Sequence, residues 1–498
     1  MDDFPKNKSS IGIRNVALDC IIFILEDKRP LHKVLSERLE TISDRKDRAF
    51  LSRLIRGCTE RAYSLDIIID RISNVKVKKQ KPVIRNILRL GAYQILFMDS
   101  VADFAAVNES VKLAGKRGFK NLGGFVNGVL RNICRKREEF IGNLYIDSRD
   151  TIISNNVDLK NEDTISSISF KYSVPDWLTE EFCSLYGKEA AVRSFKYFLE
   201  KNRIPVRVNE SKISLSDFES EIGQFIDEHS QTGSFDEGEG SKLIKLEKNG
   251  ILKGCYYIDA MGSVEDIPDF KEGAFVVQDM SSSLVGTIAG KLLEKKNIKS
   301  GLVLDLCAAP GGKSIHMADL GATVTACDIS PQKTELIKEA SKRCGFNNIE
   351  TRVNDASVYN PEFEAKYDLV ICDLPCSGLG IIGKKPDIKY NACREKIGEL
   401  SSLQKSILKN AVRYVKPDGF LIFSTCTVTA KENSENADFI RKELGLRCID
   451  LKDYLPEGIQ KNRPGDMFLQ LLPGKYGSDG FFISAFQAVR NSEGVKNG

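Results

Sequence analysis

Two cysteines that follow strand-like segments are the residues of this 498-residue chain best suited to covalent chemistry. Cys376 lies in DLPCSG and Cys426 in FSTCT, and each comes just after an apolar run typical of a buried strand. A cysteine thiolate is a strong nucleophile even near neutral pH. The pair is also compatible with redox or metal chemistry. However, the chain has only 3 histidines and no Cys-x-x-Cys, which argues against a zinc site.

A glycine-rich turn upstream of the cysteines predicts a pocket of nucleoside size. The segment VLDLCAAPGGK, residues 303–313, is an apolar strand that ends in an acid and then turns through Pro310, Gly311 and Gly312. A helix is predicted from Ser314 onward, with its free amides facing the ligand. The turn has neither the G-x-G-x-x-G nor the Walker pattern, so a nucleoside without phosphates is favoured over a pyrophosphate.

Acids close three consecutive predicted strands. Asp328, in ACD, lies 23 residues beyond Asp305, the spacing at which an acid binds ribose hydroxyls in dinucleotide folds. Asp355, in VND, has a carboxylate that can accept a hydrogen bond from an adenine amino group. Taken singly, each acid is more often a turn residue or a helix cap. Three acids at consecutive strand ends favour the ligand-binding interpretation.

The chemically suited residues lie where strands and helices alternate, which predicts a parallel sheet with ligands at the carboxyl ends of its strands. Residues 274–498 are therefore predicted to form one α/β domain. The predicted strands are 302–306, 323–327, 349–353, 369–372, 419–423 and 481–486, and the predicted helices include 332–344, 396–415 and 434–444.

Residues 1–142 differ, because their apolar residues recur at three-to-four spacing, which predicts an all-helical domain. This part holds 28 Lys and Arg against 17 Asp and Glu, a net charge of +11, so the remaining chain carries −7 of the total of +4. A basic half predicts a polyanion partner, although a solvated basic face without a partner has the same composition. The cations cluster at Lys76, Lys78, Lys79, Lys81, Lys112, Lys116, Arg117, Lys120, Arg131, Arg135, Lys136 and Arg137.

The middle of the chain has no strong motif. Residues 143–169 are polar without steady periodicity and are predicted to be a linker. Residues 170–273 begin with a helical stretch and continue as short alternating segments, which predicts a small helical plus α+β module. Within it, Arg207 and Asn209 of RIPVRVN are candidates for RNA contact, although polar residues at a strand edge have the same pattern.

The composition, 42% hydrophobic and 29% charged, is typical of a soluble protein. No run of about 18 apolar residues occurs, and the N-terminus MDDFPKNKSS lacks an apolar signal core. These features predict a cytoplasmic protein with no membrane partner. The 13 cysteines have no regular spacing and suit a reducing compartment, and Cys307, Cys327 and Cys372 are interpreted as small buried hydrophobes.

Several segments resemble known families. LRLGAYQILFMD (88–99), AAVNESVKLA (105–114) and GFVNGVLRNI (124–133) resemble the NusB family of RNA-binding antitermination factors. AAPGGK, DLPCSG and STCT occur in the order seen in RNA cytosine-5 methyltransferases. As a whole, the chain resembles the bacterial small-subunit rRNA methyltransferase B family, also called Sun or Fmu. This resemblance implies an all-α NusB-like domain, a small α+β module and a C-terminal Rossmann-like class I methyltransferase domain.

The resemblance also implies a reaction: methyl transfer from S-adenosylmethionine to carbon 5 of cytosine 967 in 16S rRNA, through a covalent cysteine adduct. In the family, the attacking thiolate corresponds to Cys426, the cysteine that assists release to Cys376, and the group that hydrogen-bonds the cytosine ring to Asp373. No metal is implied. The cofactor contacts carried over are Cys307, Ala308, Ala309, Pro310, Gly311, Gly312, Lys313, Asp328, Asp355 and Asp373.

Two other functions stay open at this point. One is a tRNA cytosine-5 methyltransferase, and the other is an RNA-binding assembly or antitermination factor whose methyltransferase half is vestigial. The retained cysteines and strand-end acids argue against the second. RNA and not DNA is the expected partner, and a monomer is expected. The sequence leaves open whether the N-terminal domain contacts RNA or a protein.

Overall fold

The structure is a computed structural model that describes residues 12–144, 164–200, 203–231, 245–259, 264–460 and 467–489. The α-helices are α1 (Ile13–Leu25), α2 (Leu31–Leu39), α3 (Arg45–Ile72), α4 (Pro82–Phe97), α5 (Asp103–Lys116), α6 (Gly123–Arg135), α7 (Arg137–Ile141), α8 (Ile165–Tyr172), α9 (Asp176–Tyr186), α10 (Lys188–Leu199), α11 (Leu215–Gln231), α12 (Pro268–Lys271), α13 (Met280–Lys295), α14 (Gly312–Asp319), α15 (Pro331–Cys344), α16 (Ile388–Asn391), α17 (Arg394–Tyr414), α18 (Ser434–Lys442) and α19 (Glu457–Gln460). The strands are β1 (Ile204–Val208), β2 (Lys245–Lys248), β3 (Cys255–Asp259), β4 (Phe275–Val277), β5 (Leu302–Asp305), β6 (Thr323–Asp328), β7 (Ile349–Val353), β8 (Tyr367–Asp373), β9 (Val415–Thr425), β10 (Arg447–Ile449), β11 (Phe468–Leu471) and β12 (Phe481–Gln487).

The chain divides into two compact units, and each unit is assembled from two separate stretches of the sequence. The first contains residues 1–201 together with 382–392, and the second contains residues 202–381 and 393–498. The first unit is helical because its apolar residues recur on one face of each helix, as the sequence predicts. Its core is formed by side chains such as Leu18, Ile55, Ile87 and Leu130, all with 0% exposure.

The first unit ends later than predicted. Helices α8 to α10 group with the N-terminal helices and not with the α+β module, and α8 occupies the end of the predicted linker. Most of that linker, residues 145–163, lies outside the described residues.

Residues 382–392 belong to the first unit although they follow DLPCSG in sequence. Lys389 is 2% exposed, and its ammonium donates to the carbonyl of Glu60 in α3 at 2.7 Å. Asp387 is 5% exposed and accepts from the backbone N–H of Leu31 at 3.3 Å. Burial lowers the pKa of Lys389 to about 7. The segment is therefore an integral part of the helical unit.

The second unit begins with the α+β module that the sequence predicts. Its four strands pair antiparallel in the order β2-β3-β1-β4, and α11 covers the sheet with Phe218 and Ile222. The candidates for RNA contact on β1 and just beyond it are buried, because Arg207 is 4% and Asn209 0% exposed. Asn209 donates to the carbonyls of Gly273 and Cys344 at 3.0 and 3.1 Å. The interpretation of these two residues as RNA contacts is therefore wrong for the structure described.

Arg207 joins the module to the α/β domain. Its guanidinium donates to Asp319, the last residue of α14, at 2.9 Å and to Gln278 at 2.9 Å. Both side chains of the Arg207–Asp319 pair are at least nine-tenths buried, with 5% and 7% exposure. Asp319 also accepts from the backbone N–H of Ser211 at 3.0 Å. The module and the helix that follows the glycine turn are thus connected by a buried ion pair.

The α/β domain is built on an eight-stranded sheet in the order β10-β12-β9-β8-β5-β6-β7, with β11 also paired to β12. The central strands are parallel, and β12 pairs antiparallel with β9. Consecutive residues such as Val303 and Leu304 enter separate cores on the two faces of the sheet. Strands buried on both faces give continuous apolar runs, as β5, β8 and β12 do, whereas the edge strand β7 is partly exposed. All six predicted strands occur. The connections run in opposite directions from β5 and β8, which creates a crevice at their carboxyl ends.

Among the helices of the described residues, none combines the length and apolarity needed to cross a membrane.

Candidate active site

The glycine turn connects β5 to α14 at the crevice between β5 and β8. Gly311 has φ +109°, a conformation that side-chain-bearing residues rarely adopt, and it immediately precedes the first residue of α14. A Cβ atom at Gly311 would lie 3.3 Å from Ile337 of α15, so the turn is also closely packed. All the predicted cofactor residues from Cys307 to Lys313 lie in this turn or in the first residues of α14. Burial raises the pKa of the Cys307 thiol, which suits the interpretation of this cysteine as a small hydrophobe.

The three strand-end acids have different environments. Asp305 is 0% exposed and accepts from the hydroxyl of Ser314 at 2.7 Å, whereas its Oδ1 is buried without a partner among the described residues. Burial raises the pKa of Asp305 to about 7. Asp328 accepts from the backbone N–H groups of Ala309 and Ile329 at 3.1 and 2.8 Å, which orients the turn.

Asp355, which follows β7, is exposed and accepts from the N–H and hydroxyl of Ser357 at 2.9 and 2.7 Å. Only one of its carboxylate oxygens is used in these bonds. The sites of Asp305 and Asp355 fit a bound nucleoside derivative, because a buried Oδ1 without a partner and an exposed carboxylate are acceptors that a ligand can satisfy. Both oxygens of Asp328 are already bonded, so its visible role is to orient the turn.

Lys313 connects the glycine turn to the end of β8. Its ammonium donates to Asp373 at 2.6 Å and to the hydroxyl of Ser282 at 2.7 Å, and lies 5.2 Å from the ring centroid of Phe481. The other oxygen of Asp373 accepts from the hydroxyl of Ser424 in β9 at 2.8 Å. Donors on both sides fix the orientation of this carboxylate.

The two cysteines meet, as the strand-end positions predict. Cys376 follows β8, Cys426 follows β9, and their sulfur atoms are 3.3 Å apart with both side chains half-buried. The hydrogen bond with Cys426 and burial raise the pKa of Cys376 well above its ordinary value, and the negative charge of Glu432 adds to the effect. The surroundings of Cys376 therefore disfavour its thiolate form.

Sequence reasoning missed the polar network behind the cysteines. Glu432 lies six residues after Cys426 in TVTAKENSE and is 0% exposed. Its carboxylate accepts from the backbone N–H of Ser377 at 2.8 Å, and Gln404 of α17 donates to the carbonyl of Pro375 at 2.8 Å. An acid next to a predicted helix is normally solvated, so the only signal in the sequence is its closeness to Cys426.

No group of three or more His, Cys, Asp or Glu residues in the described part of the chain is arranged to hold a metal ion. The site brings together a glycine turn, strand-end carboxylates, a lysine and two thiols at the carboxyl ends of adjacent strands.

Comparison with known proteins identifies the families that the two parts of the chain resemble. The profile of the family described as 16S rRNA methyltransferase RsmB/F matches residues 291–487, and that of the NusB family matches residues 12–135. The chain is 32% identical over 486 residues to a probable ribosomal RNA small subunit methyltransferase B of Bacillus subtilis, covering 96% of this chain and 98% of that protein. It is 28% identical over 485 residues to the ribosomal RNA small subunit methyltransferase B of Proteus mirabilis, covering 96% and 99%.

Solved structures agree on the fold. The structure of PH0851 has a TM-score of 0.70 at 22% identity and covers 96% of this chain and 100% of that chain. The structure of NSun6 from Pyrococcus horikoshii with SFG has a TM-score of 0.52 at 20% identity and covers 64% and 99%. By fold and comparison, the protein is a methyltransferase with a NusB-family helical domain, which confirms the predicted fold class. More specifically, the chain belongs to the ribosomal RNA small subunit methyltransferase B family.

Proposed function

We propose that this enzyme methylates carbon 5 of a cytosine in small-subunit rRNA, by family resemblance cytosine 967 of 16S rRNA, through a covalent adduct with Cys426. The observation that carries the proposal is the pair of sulfur atoms, 3.3 Å apart, at the ends of the adjacent strands β8 and β9. The glycine turn lies at the end of β5, the other neighbour of β8. A single pocket can therefore present a thiolate and a methyl donor to one base.

The chemistry needs a nucleophile because carbon 5 of cytosine is itself too weakly nucleophilic. The thiolate of Cys426 adds to carbon 6, which makes the ring electron-rich at carbon 5. S-adenosylmethionine, when bound, supplies an electrophilic methyl group. Cys376, after it has released its own proton to solvent, then removes the proton from carbon 5, so that the ring double bond forms again and the sulfur of Cys426 leaves carbon 6 as the thiolate.

The remaining residues of the site bind and orient. The loop from Cys307 to Gly312, with Asp328 and Asp355, would hold the nucleoside part of the methyl donor. Lys313 and Ser424 fix Asp373 from opposite sides, at 2.6 and 2.8 Å. A carboxylate has about four acceptor positions, so Asp373 can still accept a hydrogen bond from the cytosine amino group.

The basic helical domain supports RNA as the partner. Lys78, Lys79 and Lys81 are exposed in the segment just before α4 and form no ion pair among the described residues. In contrast, Arg117 pairs with Asp19 at 2.6 Å. Exposed cations without an acid partner can contact phosphates and release counterions. We also infer that the protein acts in the cytoplasm as a monomer, which size-exclusion chromatography tests.

The test is methyl transfer from labelled S-adenosylmethionine to unmodified small-subunit rRNA, followed by a denaturing gel. The wild type should form 5-methylcytosine, Cys426→Ala should form none, and Cys376→Ala should accumulate a denaturant-stable protein–RNA adduct because release fails. Cys448→Ala, on the edge strand β10, is the matched control and should retain activity, because its thiol lies outside the site.

Three results would contradict the proposal. Wild-type activity in both Cys376→Ala and Cys426→Ala would make the cysteines structural. Methylation of tRNA but not of rRNA fragments would change the substrate class. Inactivity of the wild type on every RNA, with RNA binding retained, would favour the antitermination-type binding factor.

A further inference from the structure

A buried carboxylate lies behind the two cysteines. Glu432 is 0% exposed and follows Cys426 in the same loop, just before α18 begins at Ser434. Every partner that the structure describes for its carboxylate is a neutral donor. A buried carboxylate without a cation is costly, so its hydrogen bonds must offset the lost hydration. Such a group is seldom kept for stability alone.

The hydrogen bonds of Glu432 go mainly to the residue after Cys376. One carboxylate oxygen accepts from the backbone N–H of Ser377 at 2.8 Å and from Gln404 at 3.3 Å. The other accepts from the hydroxyl of Ser377 at 2.5 Å and from that of Thr429 at 2.8 Å. Four donors therefore satisfy both oxygens of the Glu432 carboxylate.

The same network holds both cysteine loops. Gln404 also donates to the carbonyl of Pro375, so the residues on both sides of Cys376 are fixed. The hydroxyls of Ser377 and Thr427 are 2.7 Å apart, and Thr427 follows Cys426 directly. A single carboxylate therefore sets the position of Cys376 and, through Ser377, contacts the loop of Cys426.

The charge of Glu432 bears on which sulfur ionises. Two thiolates 3.3 Å apart would repel each other strongly, so the pair carries at most one negative charge. The negative charge of Glu432 is among the causes that raise the pKa of Cys376. The thiol that is kept protonated is thus the one next to the buried carboxylate.

We propose that Glu432 is a positioning residue: its carboxylate holds the loop of Cys376 against the loop of Cys426 and lies next to Ser377, so that Cys426 and not Cys376 is the sulfur that reacts as the nucleophile. The inference rests on the proposed function only for the roles of the two cysteines. The proposal also implies an order in which the two cysteines lose their protons, with Cys426 before Cys376. When the sulfur of Cys426 is bonded to carbon 6 it carries no charge, and the hydrogen bond between the sulfurs is lost.

Cys376 can then release its own proton to solvent and accept the proton of carbon 5. The electrons of the carbon–hydrogen bond form the ring double bond again, and the sulfur of Cys426 leaves as the thiolate. One proton is released to solvent for each methyl group transferred, which balances the loss of the positive charge of the methyl donor.

Two variants separate charge from position. Glu432→Gln keeps the length of the side chain and removes the charge, and the hydroxyls of Ser377 and Thr429 can turn to accept from the new amide. Glu432→Asp keeps the charge and shortens the side chain. The matched control is Glu435→Gln, which removes one acid from an exposed position on α18.

The measurement is alkylation of the enzyme by iodoacetamide without RNA or methyl donor, followed by mass spectrometry of the two cysteine peptides between pH 6 and 10. In the wild type, Cys426 should react first, and Cys376 should be half-alkylated only at a higher pH. In Glu432→Gln, the alkylation rate of Cys376 relative to Cys426 should rise about tenfold. Glu435→Gln should keep the wild-type ratio, and Glu432→Asp, which keeps the charge but loosens the hydrogen bonds, should lie between the wild type and Glu432→Gln.

Equal ratios in the wild type and Glu432→Gln would overturn the electrostatic role. So would a ratio in Glu432→Asp that matches Glu432→Gln, because the position alone would then explain the effect. If Glu432→Gln does not fold by circular dichroism, the wild-type pH series decides: alkylation of Cys376 at or below the pH of Cys426 refutes the proposal. Since this assay uses no RNA, its outcome is independent of whether the chain methylates rRNA.

Discussion

The ion pair between Arg207 and Asp319 allows a quantitative test of how the α+β module is joined to the α/β domain. In Arg207→Met, the bonds to Asp319 and Gln278, both 2.9 Å, are lost. Asp319 stays at least nine-tenths buried and keeps the backbone N–H of Ser211 as a donor. Removing one member of a buried pair costs about 3 to 5 kcal/mol, mostly because the other charge stays buried.

A loss of about 3 kcal/mol corresponds to roughly a hundredfold increase in the opening of the affected segments. Hydrogen exchange followed by mass spectrometry measures that opening, and peptides covering β1 and α14 should exchange faster by this factor.

A double-mutant cycle completes the test of the pair. Arg207→Met with Asp319→Asn should be more stable than the sum of the single variants by about 2 kcal/mol, because no unpaired charge stays buried. Additive effects, or unchanged exchange in β1 and α14, would refute the pairing. A variant Arg207→Met with normal exchange but weakened RNA binding would restore the interpretation of this arginine as an RNA contact.

Three further predictions concern the active site. Lys313→Met should lower the rate of methyl transfer about a hundredfold at saturating cofactor, because Asp373 loses the charged donor that orients it. A single-turnover assay measures this rate, and a change in Km with an unchanged rate would contradict the role of Lys313. Burial raises the pKa of Asp305 to about 7, so the folded chain keeps a proton on this carboxyl that the unfolded chain loses near pH 4. Its contribution to stability is therefore present below about pH 4 and is lost as the pH rises through 7. In thermal melts of the cofactor-free enzyme, the Tm of Asp305→Asn should decline less from pH 5 to 8 than that of the wild type, and parallel curves would contradict the assignment. Hydrogen peroxide should oxidise Cys376 and Cys426, whose sulfur atoms are 3.3 Å apart, to a disulfide with release of water. The intact mass should fall by two hydrogens, and dithiothreitol should reverse the inactivation. Inactivation without the mass change would exclude this bond.

The sheet of the α/β domain could be predicted from the sequence because the signals for its strands, apolar runs followed by turn residues, lie within each segment. Strands β5 and β8 are buried on both faces, so they read as apolar runs, and the turn residues after them mark the carboxyl ends. The meeting of Cys376 with Cys426 followed from their shared position beyond strand ends. The short strands β10 and β11 were missed, since three or four residues on an edge carry little periodicity.

The residues that sequence reasoning misjudged depend on partners that are distant along the chain. Arg207 is buried because Asp319, 112 residues away, neutralises it. Glu432 is buried because donors from Ser377 and Gln404 satisfy it. Residues 382–392 were assigned to the α/β domain by continuity, whereas Lys389 and Asp387 find their partners in α3 and at the start of α2. None of these pairings leaves a periodic pattern.

The placement of residues 382–392 determines how this protein can be recombined with its relatives. A chimera that exchanged only residues 1–201 would bring a foreign α3 against the native Lys389, whose 2% exposure leaves it no access to water. The exchange must therefore include residues 382–392 as a second piece, with joints at 381/382 and 392/393. For the same reason, changes in α2 and α3 should covary in evolution with the segment that contains Asp387 and Lys389, although more than 300 residues separate them in sequence.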